Sequence, residues 1–179
     1  MFWTLLVIAT LLLSLERVTY WWAWNHPEVF TAQARRRDRL LHHDPVRALG
    51  RLFVVFKFIQ IGVLLGWCMV FGQTWLPLPT APSGAIVLGL SLLALGQALN
   101  FGVIWRLKAE GMFYGNRFGR AIEWQTGFPF SIVRHPQYVG ALLSVWAFLL
   151  IMRFPNPDWL ALPLVSTALY AWGIHVERD

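Results

Sequence analysis

Arg134, His135 and Pro136 set a guanidinium, an imidazole and a proline side by side where a polar connection runs into an apolar segment. Proline suits the first turn of a helix, where its missing N–H costs nothing. A helix start carries partial positive charge and unpaired N–H groups, so it can hold an anion. Arginine adds two parallel donors matched to a carboxylate or phosphate, and histidine changes charge near neutral pH. The stretch from Gly127 to Gly140 therefore reads as an anion site at a membrane surface. A second chemical group lies some forty residues on. Tyr170, Gly173 and Glu177 fall at i, i+3 and i+7, one face of a helix.

The elements that must position these groups are apolar. Of 179 residues, 57% are hydrophobic and 13% charged, and the mean hydropathy is +0.52. The apolar residues come in long runs, which a soluble domain does not need. The expected fold is all-α: a polytopic membrane helical bundle with four to five transmembrane helices. The expected spans are Phe2–Trp24, Leu52–Phe71, Gly84–Trp105, Tyr138–Met152 and Trp159–Val176. The last two are short and joined by a turn at Phe154-Pro155-Asn156-Pro157-Asp158, so they read as a helical hairpin. The first has no basic start or small-residue cleavage site and is read as retained. No repeat or internal boundary is evident, so 1–179 is expected to be one domain. Residues 1–91 supply N-terminal spans and a basic loop, and 92–179 supply the core.

Basic residues orient the bundle. Arg35, Arg36, Arg37, Arg39, Arg47, Arg51 and Lys57 lie between or at the edge of spans one and two. Arg106, Lys108, Arg117, Arg120 and Arg134 lie between spans three and four, while the connection 72–83 has no charge. The positive-inside rule puts both basic loops in the cytoplasm. Span four then starts on the side where span five ends, so Arg134, His135 and Glu177 are expected to converge. The formal charge of +6 hugs membrane ends, which favours anionic lipid headgroups over nucleic acid. The single Cys68 has no disulfide partner.

Weaker features have bland readings beside sharper ones. The Arg35–Arg51 loop is expected as a solvated charge run, with a membrane-surface helix as the alternative. Gly111–Gly119 interleaves glycines with aromatics and reads as an interfacial loop, or as a backbone able to approach a ligand. Gln97 and Asn100 share a helix face, for inter-helix hydrogen bonds or a cavity. Glu16 and Arg17 are expected to snorkel toward the interface.

The ordered set Gly115-Asn116-Arg117-Phe118-Gly119, Gly127-Phe128-Pro129-Phe130, Arg134-His135-Pro136-Gln137-Tyr138-Val139-Gly140 and Glu177 resembles the phospholipid methyltransferases. These include phosphatidylethanolamine N-methyltransferases and are related to isoprenylcysteine carboxyl methyltransferases. The resemblance implies S-adenosylmethionine as cofactor and a phosphatidylethanolamine-like membrane lipid as substrate. The family's Gly-x-Gly motif falls on Ala94-Leu95-Gly96, and its paired acidic motif on Glu177-Arg178. Arg134, the helix start and His135 are expected to hold the cofactor's carboxylate and Glu177 its ammonium, with Gly96 and Gly115 allowing close approach. Tyr138, Tyr114 and Trp172 offer ring faces to a sulfonium or methylated ammonium. Asn100, Arg117 and Phe128, with Trp172, are expected to line the substrate side. His135 and Glu123 are the candidate bases, and no metal site is expected. The Arg-His-Pro variant points to a bacterial inner membrane, with the active site facing the cytoplasm. Three alternatives stay open: another acceptor, such as an isoprenylcysteine carboxylate or small thiol; an NADPH-dependent membrane reductase; or a degenerate, non-catalytic membrane protein.

Overall fold

A computed structural model describes residues 1–37, 39–73, 75, 79–123 and 125–176. Among them there are six α-helices: α1 (Phe2–Asn25), α2 (Pro27–Arg36), α3 (Pro45–Phe71), α4 (Ser83–Met112), α5 (Pro136–Ile151) and α6 (Ala161–Val176). Short 3-10 turns cover Gly115–Phe118 and Pro157–Leu160. The all-helical membrane bundle read from the apolar runs is the fold observed. Four helical stretches are long and apolar enough to cross a membrane: Phe2–Asn25, Pro45–Phe71, Ser83–Phe118 and Pro157–Val176. At 16 residues α5 is shorter, about 24 Å at 1.5 Å per residue against a hydrocarbon core of about 30 Å. It pairs with α6 as the expected hairpin, tied by a bond from Trp146 Nε1 to Thr167 Oγ1 at 3.1 Å.

Prolines and one aspartate set the helix starts. Pro27, Pro45 and Pro136 each occupy a first helical turn. Asp44 caps α3, its carboxylate accepting the Val46 N–H at 3.1 Å. This cap starts α3 at Pro45 instead of Leu52, drawing Arg47 and Arg51 from the expected loop into a helix. A short helix, α2, also lies just before the Arg35–Arg51 stretch, at Pro27–Arg36. Its first turn carries Glu28 and its last Arg35 and Arg36, the charge order a helix dipole favours. Beyond Trp105, α4 continues to Met112, with a kink at Lys108 where φ is 52°.

Packing is tightest between α4 and α5. A Cβ added to Gly96 would lie 2.7 Å from the Gly140 carbonyl oxygen and 3.0 Å from Ser144 Oγ. One added to Gly89 would meet the Ala147 carbonyl oxygen at 3.1 Å. Small residues thus bring the two backbones together, as in other membrane helix pairs. Gln97 Nε2 donates to Ser144 Oγ at 2.9 Å beside them.

Two apolar clusters complete the bundle. One joins Leu13, Trp67, Leu149 and Leu162 from α1, α3, α5 and α6. The other, at the polar end, joins Tyr20, Ala23, Phe30, Ala34 and Leu49, with Phe113, Tyr114 and Phe118 against it. Arg120 ties that end together by donating to Asp44 Oδ2 at 2.8 Å and to Glu110. The Glu110 bond and the Asp44 charge hold its guanidinium above its ordinary range.

Candidate active site

Two cavities adjoin inside the bundle. The smaller, about 150 Å³, lies at the basic end and is lined by Tyr20, Gly111, Tyr114, Arg134, His135 and Tyr138 among others. His135 is the residue before α5, and Pro136 begins the helix, so the helix start opens at this pocket. Tyr114 holds a left-handed conformation at φ 56°, which turns the chain out of α4. Its ring packs edge-on against Tyr20 and Trp24, with centroids 5.7 and 5.1 Å away. The Tyr20 hydroxyl is buried with no hydrogen-bond partner among the described residues.

The larger cavity is about 480 Å³ and is walled by α1, α3, α4, α5 and the Tyr170 side of α6. It shares Met112, Gln137 and Tyr138 with the smaller one. Most of its wall is apolar, including Leu64, Leu93, Ile104 and Phe148. Gln97, Asn100 and Ser144 add polar groups from the α4–α5 seam. α3 and α4 touch only sparsely along this wall.

A buried charge cluster sits on this wall. Glu16 Oε1 pairs with Arg17 Nη2 at 2.7 Å, and Glu16 Oε2 accepts from Lys57 Nζ at 3.1 Å. Lys57 also donates to Gln60 Oε1 at 3.1 Å. The Arg17 guanidinium lies 4.5, 4.9 and 5.2 Å from the ring centres of Tyr170, Tyr138 and Tyr20. Such contacts are favourable when desolvated. The expected snorkelling of Glu16 and Arg17 is corrected here: at 6% and 5% exposed, both turn into the bundle.

Comparison with known proteins bears on this pair of cavities. A family model described as phospholipid methyltransferase matches residues 85–179. A phosphatidyl-N-methylethanolamine N-methyltransferase of Arabidopsis thaliana is 35% identical over 130 residues, 73% of this chain and 70% of that protein. The chain belongs to the phospholipid methyltransferase family. A protein of the same name from Saccharomyces cerevisiae (strain ATCC 204508 / S288c) is 38% identical over 58 residues, 32% of this chain and 28% of that protein. No solved structure matches the chain significantly. As a member of the phospholipid methyltransferases, the chain is an integral membrane enzyme of methyl transfer to phospholipid, which displaces the reductase reading.

Against this phospholipid methyltransferase geometry the sequence candidates divide. Arg134, His135, Tyr114 and Tyr138 come together at the smaller pocket, and Asn100 lines the larger cavity. Gly96 faces α5 instead of a cavity, because its missing side chain admits the Gly140 backbone. Gly115 is buried where a Cβ would lie 2.6 Å from the Glu110 carbonyl oxygen, so it serves the chain turn. Arg117 is drawn over the Trp24 ring, 3.8 Å from its centre, and lies away from both cavities. Phe128 packs beside Gly102, and its carbonyl accepts from Arg106 Nε at 3.2 Å. Trp172 is 39% exposed on the outer face of α6, and Glu123 is exposed in a segment with no regular secondary structure. None of these last three lines either cavity. Glu177 lies outside the described residues. Sequence reasoning missed Glu16, Arg17, Lys57 and Gln60; the available signal was an ionisable pair within an apolar run.

Proposed function

We infer that the protein uses S-adenosylmethionine to methylate the amine of phosphatidylethanolamine or its N-methylated forms. The reaction would take place at the cytoplasmic face of a bacterial inner membrane. The observation that carries this reading is the junction at Tyr138. There a small cationic pocket meets a large, mostly apolar cavity within the membrane bundle. A polar donor and a lipid acceptor need two such spaces side by side. The relatives' names support a lipid amine over an isoprenylcysteine carboxylate or a thiol. Both halves of the chain wall the cavities, which supports one catalytic unit over 1–179.

The pocket's donor set suits the amino-acid end of the cofactor, whose nucleoside would extend beyond its volume of about 150 Å³. Arg134 and the start of α5 offer charge and N–H groups to its carboxylate. The Tyr20 hydroxyl is a buried polar atom with unmet bonding capacity, and Tyr114 presents an aromatic wall. Glu177 is retained as the ammonium partner on the family resemblance alone. When bound, S-adenosylmethionine supplies a methyl group activated by a sulfonium centre.

The remaining work belongs to the chain. Alignment of two bound reactants can contribute about 7–11 kcal/mol in favourable cases. The tight α4–α5 seam supplies a rigid wall for that alignment. The apolar cavity excludes water around the acceptor. His135, at the pocket, accepts the proton that the acceptor amine must lose. The basic loops, by the positive-inside rule, hold this end in the cytoplasm.

Expression in a bacterium lacking methylated ethanolamine lipids, followed by chromatography of its membrane lipids, tests the reading. New mono-, di- or trimethylated ethanolamine lipids are expected. An unchanged lipid profile with the protein present and folded in the membrane would overturn it.

A further inference from the structure

The Glu16–Arg17–Lys57 cluster takes no part in the steps above, yet it sits on the wall of the larger cavity. One carboxylate serves two cations, so the formal sum is one positive charge. Among the described residues, no second carboxylate lines this cavity. Arg17 is 5% exposed, and its Nη1 has no hydrogen-bond partner among the described residues. The surrounding tyrosine rings cover guanidinium faces but give its in-plane N–H groups nothing to donate to. A surplus positive charge inside a membrane span is costly and marks a functional position. The partner it lacks is an anion. Since most of the remaining wall is apolar, with Gln97, Asn100 and Ser144 as polar exceptions, an anion attached to hydrocarbon fits this cavity best.

We propose that Arg17 and Lys57 bind the phosphate of the acceptor phospholipid, whose acyl chains leave past the apolar wall of α3 and α4. The proposal rests on the lipid-methylating reading and names the subsite that reading leaves open. A phosphodiester carries one negative charge, matching the cluster's surplus; its oxygens accept from Lys57 Nζ, while Arg17, buried just behind the wall, adds its charge. The amine of an ethanolamine lipid is two carbons from the phosphate oxygen. A phosphate at Arg17 therefore carries the amine toward Tyr138, whose ring lies 4.9 Å from the guanidinium and which lines both cavities. Arg134 in the smaller pocket remains for the cofactor carboxylate, so two anions meet two separate cationic sites.

Native mass spectrometry of the purified protein in detergent tests this, with phosphatidylethanolamine and a diacylglycerol of the same chains as probes. Calorimetric titration of S-adenosylmethionine runs beside it. Arg17→Gln and Lys57→Gln are each expected to lower phosphatidylethanolamine retention about tenfold or more, the size of a lost charge-assisted contact. Diacylglycerol retention and cofactor affinity stay unchanged, and Lys57→Arg keeps the phospholipid. Lys57 is only half-buried, so its variants keep the test valid if Arg17→Gln fails to fold. Unchanged phospholipid retention in folded Lys57→Gln would overturn the proposal. So would a loss of cofactor affinity with phospholipid retention intact, which assigns the cluster to the cofactor's carboxylate. Methylation is scored separately in the unaltered protein. Retention through these residues without methyl transfer would sink the activity and leave the phosphate site standing.

Discussion

The guanidinium of Arg17 rests 4.5 Å from the centre of the Tyr170 ring, joining the first helix of the chain to the last. Tyr138 of α5 and Tyr20 of α1 close around the same cation. Gly173 leaves room for it: an added Cβ would lie 3.5 Å from Arg17 Cδ and 3.8 Å from the Tyr138 hydroxyl. One buried cation thus holds three helices around the point where the two cavities meet.

Removing one ring should cost little and removing the carboxylate much. Tyr170→Leu is expected to destabilise the bundle by about 0.5–2 kcal/mol through lost cation–π contact. Glu16→Gln leaves two cations without their shared counter-charge, and about 3–5 kcal/mol is expected. Unfolding in mixed detergent, followed by circular dichroism, would check the order. Equal losses would mean that the carboxylate is not the keystone of the cluster.

The α4–α5 seam makes a steric prediction. Gly96→Val should destabilise by about 1–3 kcal/mol or more, because a side chain there meets the Gly140 backbone. Gly62→Ala has nothing within 4 Å of the added atom and serves as the control. Thermal unfolding of the two variants should separate them clearly.

Much of this architecture was legible in the residues. Long apolar runs gave the spans, and Pro136 marked the start of α5, because a bilayer forces helices and proline resists any other helical position. The start of α3 was missed by seven residues, since Asp44 works through a local cap that hydropathy cannot register. The grouping at the smaller pocket was also legible: Arg134, His135 and Tyr138 lie within five residues in sequence and line one pocket. The charged wall was not. Lys57 and Glu16 are 41 residues apart, and only packing of α1 against α3 brings them together. Gly96 carried a family motif, but its neighbour is a helix backbone, a contact that no local pattern encodes.

Asp44 deserves a separate test because it caps α3 and also receives Arg120. Asp44→Ala is expected to cost about 1 kcal/mol from the cap alone. Asp44→Asn keeps the capping oxygen and loses the charge, so it should recover most of that stability. Chemical unfolding of both variants reads the difference.

Arg134 is expected to act through geometry as well as charge. Arg134→Ala should weaken S-adenosylmethionine binding about tenfold or more, with the helical spectrum unchanged. Arg134→Lys should restore only part, because a single ammonium cannot present two parallel donors. Titration calorimetry on the three proteins would check this; identical affinities would remove Arg134 from the cofactor site.

The most direct measurement is methyl transfer by the purified protein in micelles, with S-adenosylmethionine labelled on its methyl group and phosphatidyl-N-methylethanolamine as acceptor. Label appearing in a dimethylated ethanolamine lipid, and lost in Arg134→Ala, is the result expected. Folded protein that binds S-adenosylmethionine but leaves every ethanolamine lipid unlabelled would contradict the account.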